Sequence, residues 1–112
     1  MDVKGFADAL LTGLATADLF ESVALQTEGP IASARATVSG AEDLFLRVYF
    51  NESTGTTAFA LIKDQRRIWG VDFDNRRGWH LHPHDDPTEH RSIAPLSIQE
   101  IVRLLTEVLS NP

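Results

Sequence analysis

Apolar residues at three- and four-residue spacing open the chain. Phe6, Leu10, Leu11 and Leu14 recur as one face of a helix over about residues 3–17, and Asp2 stands where a capping side chain belongs. Gly5 and Gly13 oppose this helix by about 1 kcal/mol each relative to alanine. Beyond Asp18 the period falls toward two. Residues 22–27 alternate loosely, Gly29-Pro30 marks a turn, and residues 32–39 set small residues against Ser33, Arg35 and Thr37, as in a half-buried strand. In residues 44–50 the alternation is clean: Leu44, Leu46, Val48 and Phe50 share one side, and Phe45, Arg47 and Tyr49 the other. Residues 51–55 are turn formers, and residues 56–63 follow as a nearly continuous apolar, β-prone run. Asp64-Gln65 then turns the chain into a further strand over residues 67–73.

After Phe73 the periodicity is lost for about twenty residues, a length typical of functional or irregular loops. Pro83 and Pro87 bias the residues before them toward extended backbone. Helical spacing returns with Ile98, Ile101, Val102, Leu105, Val108 and Leu109, preceded by Pro95 and by a capping box of Ser97 and Glu100. The order predicts one α+β domain over residues 1–112. It consists of an antiparallel meander of about five strands, with an N-terminal and a C-terminal helix packed on one face.

Composition narrows the function classes. The 112 residues contain no cysteine, which removes disulfides, thiolate metal sites and cysteine nucleophiles. No stretch approaches the roughly 20 apolar residues that span a bilayer. The first residues carry Lys4 against Asp2 and Asp8, unlike a secretory signal, so a cytoplasmic location with no membrane partner is expected. A net charge of −6 argues against non-specific wrapping of nucleic acid. The charge is uneven, however. Residues 1–62 hold three basic residues against eight acids, whereas residues 63–84 hold five against three, together with three of the four histidines.

Chemistry therefore concentrates in residues 72–90, which contain every histidine of the chain. His80, His82 and His84 stand two apart, and an extended backbone would project all three to one side. Such imidazoles could ligate zinc, with Asp85 or Asp86 as an oxygen ligand. A metal-free alternative is acid–base chemistry on a phosphodiester. Two histidines would transfer protons, Arg76 and Arg77 would bind phosphate, and Trp79 and Phe73 would offer faces for an unpaired base. The bland reading is a solvated polar loop, with Asp74-Asn75 as a turn, Arg66 and Arg67 as a solvated hairpin tip, and Trp69 as core. No phosphate-cradling glycine loop, serine nucleophile motif or dinucleotide fingerprint is present, so no cofactor is expected apart from that zinc alternative.

The run Phe59-Ala60-Leu61-Ile62-Lys63-Asp64, then Arg67-Ile68-Trp69, Asp74-Asn75 and Trp79-His80-Leu81-His82-Pro83, resembles the TumE-like family. These are small prokaryotic proteins regarded as toxins of toxin–antitoxin pairs. The likeness covers about residues 44–109 and leaves the N-terminal third outside. It implies that Asp74, Asn75, His80 and His82 occupy the family's Asp-Asn and histidine positions. It further implies growth inhibition through RNA, with a cognate antitoxin as partner. The rival expectation is a non-enzymatic module that docks a partner protein through its sheet face or acidic half.

Overall fold

A computed structural model describes residues 1–86 and 88–110; Pro87, the second expected break, lies outside them. The elements run α1 (Val3–Ala17), β1 (Phe20–Glu28), β2 (Ile31–Val38), β3 (Leu44–Asn51), β4 (Thr57–Lys63), β5 (Arg66–Asp74), β6 (Gly78–His82), β7 (Arg91–Ser92) and α2 (Ile98–Ser110). The fold is α+β, and its strands form one antiparallel sheet in sequence order. Among the described residues there are seven strands rather than the expected five. The two additional strands, β6 and β7, both lie in the stretch expected to be a loop. Trp79-His80-Leu81-His82 is in fact an alternating run, with its polar set made of histidines instead of the usual serines, threonines and charges. Among the described residues, no helix is long and apolar enough to cross a membrane.

The register sorts side chains into two faces. Ala34, Val48, Phe59, Val71 and Leu81 stand opposite one another on successive strands. The first four are buried and share one cluster with Phe6, Leu10 and Leu14 of α1 and Ile101, Val102 and Leu105 of α2, while Leu81 packs against its edge. Phe6 stacks on Phe50 with ring centroids 4.3 Å apart. Trp69 is buried in the same cluster, as expected from its flanking residues. The adjacent row, Arg35, Arg47, Ala60, Gly70 and His82, necessarily faces the other way. That second face is not covered by either helix, and its small residues leave a groove of about 1770 Å³.

Both helices begin as the sequence indicates. Asp2 Oδ1 accepts from the Gly5 N–H at 2.7 Å. At α2 the Ser97 N–H donates to Glu100 Oε1 at 2.9 Å, and the Glu100 N–H donates to Ser97 Oγ at 3.1 Å. The backbone N–H of Ser97 holds the Glu100 carboxyl below its usual range. A carboxyl whose folded pKa is depressed stabilises the fold above its unfolded value, and that contribution disappears as pH falls through the folded one. Glu100→Gln is therefore expected to be less stable than the wild type near neutrality. The difference should narrow as the pH falls through the lowered range of the folded carboxyl, because protonated Glu resembles Gln. Urea melts across this range check the convergence.

Candidate functional site

The functional geometry begins with a β-bulge. Leu61 pairs with Trp69, but Ile62 pairs with Arg67, so β5 carries one extra residue between these positions. Strict alternation from Trp69 would turn Arg67 toward the helices. The bulge returns it to the open face, where bulges commonly re-aim side chains. Its aliphatic stem then lies across Gly70, where an added Cβ would sit 3.3 Å from Arg67 Cδ and 3.1 Å from the Phe59 carbonyl oxygen. Glycine is what lets the arginine cross the strand at this height.

Arg67 Nη2 donates to His82 Nδ1 at 3.2 Å. A guanidinium can only donate, so His82 Nδ1 is the unprotonated nitrogen, and Nε2–H donates to Asp72 Oδ2 at 3.1 Å. Burial and the Arg67 charge push the His82 imidazole below the ordinary histidine range, against the opposing pull of Asp72. The two ring contacts thus hold His82 in one tautomer. His80 sits two residues earlier on the same face and is also buried. Its Nδ1–H donates to the Gly78 carbonyl at 3.2 Å, which leaves Nε2 facing Asp72 Oδ2 at 3.4 Å. A carboxylate cannot donate, so this contact is attractive only when a proton or another cation lies between the two atoms. Asp72 is the hub of the group, and Arg67 also approaches it at 3.9 Å.

The third imidazole comes from the return strand. His80 pairs with Ser92 and Leu81 with Arg91, so the register continued one step sets residue 90 against His82. The His82 and His90 ring centroids are 4.5 Å apart, and those of His80 and His82 5.2 Å. Arg77 Nη1 donates to His90 Nδ1 at 3.4 Å. Nitrogens of His80, His82 and His90 lie within 4.8 Å of one another. The metal set expected from spacing, His80, His82 and His84, is corrected on this point. The strand ends at His82, and His84 is exposed in the turn that follows, outside the cluster. The nearby carboxylate is Asp72 in place of Asp85 or Asp86, which are exposed in that same connection.

The other expected residues take distinct places. Asp74 Oδ1 accepts from the backbone N–H groups of Arg76 and Arg77 at 2.9 and 2.8 Å. These bonds, that of Arg77 first, hold its carboxyl below the usual range. Asn75 Nδ2 donates to the Thr54 carbonyl at 2.9 Å and ties the β5–β6 turn to the β3–β4 turn. Both residues border the groove, as do Arg76 and Arg77. Trp79 does not. It pairs with Phe73, ring centroids 5.3 Å apart, and packs at the edge of the core on the helix side, so it offers the groove no stacking face. Arg67, read from sequence as a solvated hairpin tip, and Asp72, singled out for no role there, are the residues that orient the histidines.

Asp72→Ala leaves the imidazole N–H of His82 without its acceptor and removes the carboxylate that His80 Nε2 faces. The expected cost is about 1–3 kcal/mol in urea unfolding, together with loss of the close histidine packing in NMR spectra. Asp85→Ala, on the exposed connection, is expected to fall within about 0.5 kcal/mol of the wild type. Equal effects of the two substitutions would contradict the hub role. In comparisons with known proteins, the chain matches no family model, no curated protein and no solved structure.

Proposed function

We propose that the protein acts on RNA through the open groove, as the toxin-like partner of a cognate antitoxin. The observation that carries this reading is the Asp72-centred histidine cluster set beside Arg67, Arg76 and Arg77. A phosphodiester drawn to the arginines would meet His80, whose Nε2 faces Asp72 Oδ2 at 3.4 Å, as one proton-transfer group. His90 stands across the cluster as the second proton-transfer group, and His82 is the positioning residue between them. Asp74 and Asn75 support the reading by fixing the turn that presents Arg76 and Arg77. The resemblance of residues 44–109 to TumE-like toxins points to the same substrate.

The test is expression in a bacterial host, followed by incubation of purified protein with RNA. The wild type is expected to slow growth and shorten RNA, and His80→Ala with His82→Ala to lose about 10²–10⁴-fold of the cleavage rate. A wild type that leaves both growth and RNA untouched would sink the proposal, as would a folded double variant of full potency.

The convergence of three imidazoles within 4.8 Å supports a second reading, a zinc site of His80, His82 and His90 with Asp72. Against it, Arg67 and Arg77 already donate to two of these rings, and each places a positive charge beside the ion. The zinc reading predicts about one equivalent of metal in tag-free protein, lost in His90→Ala. Metal-free protein whose melting temperature ignores added zinc would remove it.

A further inference from the structure

The open face extends well beyond the histidines. Arg35 on β2 and Arg47 on β3 are direct cross-strand partners, and both are exposed. Like charges placed opposite one another on adjacent strands are destabilising. Neither guanidinium has a carboxylate partner among the described residues. Arg35 lies over the Phe45 ring, 3.7 Å from its centroid, which fixes its charge above the sheet instead of letting it swing away. A repulsive pair held in place on an uncovered surface is a site for an anion that both members can share.

Its position indicates which anion. Along the row Arg47, Ala60, Gly70, His82, the side chains between the two ends are a methyl group and a hydrogen. Three strand spacings of about 4.8 Å place Arg47 roughly 14 Å from His82, with the floor open over Ala60 and crossed by the Arg67 side chain at Gly70. Tyr49 and Ala58 continue that floor in the next row toward Asp72 and His80. The carboxylates bordering the groove are Asp72 and Asp74, and both are engaged. None of the eight acids of residues 1–62 borders it. The acids of residues 1–62 are therefore displaced from the groove border, and arginines stand at both ends of the groove.

We propose that Arg35 and Arg47 form a distal phosphate subsite for single-stranded RNA, engaging a phosphate of the chain beyond the one that reaches the histidines. The base between lies on the Ala58 and Ala60 floor, with the Tyr49 ring and the Arg67 side chain at its borders. This subsite rests on the RNA reading above. It assigns that substrate a minimum length and a strandedness, since a duplex is too thick to bring its bases onto the floor.

The test measures binding of 2′-O-methyl RNA by fluorescence anisotropy, using a dinucleotide, a hexanucleotide and a hexanucleotide duplex across a salt series. The single-stranded hexanucleotide is expected to bind more tightly than the dinucleotide. Arg35→Gln with Arg47→Gln should weaken the hexanucleotide by at least about tenfold and lower its salt slope by about 1. The dinucleotide should be unaffected, and the melting temperature unchanged or raised because a repulsive pair is gone. A double variant that binds the hexanucleotide like the wild type would overturn the subsite while leaving the RNA reading intact. Equal binding of duplex and single strand would overturn it as well, and so would competition by inorganic phosphate that is fully retained in the double variant. A wild type that binds neither oligonucleotide and cleaves no RNA would remove the RNA reading itself, and the subsite with it.

Discussion

Phe59 stands at zero exposure in the middle of the sheet, with Phe6 of α1 packed over it at a ring separation of 6.2 Å, and the register it anchors runs through every strand that builds the groove. In a sheet a slip of one residue exchanges the two faces completely. With Phe59 turned toward the helices, Val48 and Val71 beside it must turn the same way, and Ala60, Arg47, Gly70 and His82 must turn out. Burial of the apolar set on one side thus decides which polar residues meet on the other. The cluster is assembled from strands that need no polar attraction to bring them together.

Within that frame, two local departures from regularity give the site its order. The bulge in β5 turns Arg67 outward, and Gly70 leaves room for it to pass. Arg67 then fixes the His82 tautomer, and Asp72 accepts from the other nitrogen of the same ring. Once His82 is oriented from both sides, His80 is defined by Gly78 and Asp72, and His90 is carried in by the pairing of β7 with β6. Buried imidazoles would be costly if unpaired. Here every buried polar side-chain atom of the described residues has a partner.

The electrostatics follow the same division of faces. A chain of net charge −6 would repel a polyanion if its charge were spread evenly. The acids of the N-terminal half instead occupy turns, helix α1 with its two caps, and the outer strand β1, away from the groove border. What a polyanion approaching the groove meets is governed by the local charge over about one Debye length, roughly 8–10 Å, and here that charge belongs to arginines.

Both helices, their caps, the inner strands and the α+β class were legible from residue order, because hydrophobic period and capping chemistry act over a few positions along the chain. The segment from residue 72 to residue 90 was legible as the seat of chemistry, because its composition is unlike the rest. Its strands were not, since β6 alternates over only five residues and β7 is two residues long. Nor were the partners. His84 has the spacing to join His80 and His82, but the strand stops before it, and His90 replaces it through a pairing that depends on where the connection of residues 83–90 returns. Asp72 and Arg67 carry no local signal, because one acts through its position opposite His80 and the other through a bulge set by register with β4. Sequence by itself determined which residues could do chemistry and which faces they could share. Only the tertiary structure decided which of them meet, because cross-strand contact depends on register and strand length, and both are fixed by packing of the whole sheet against the helices.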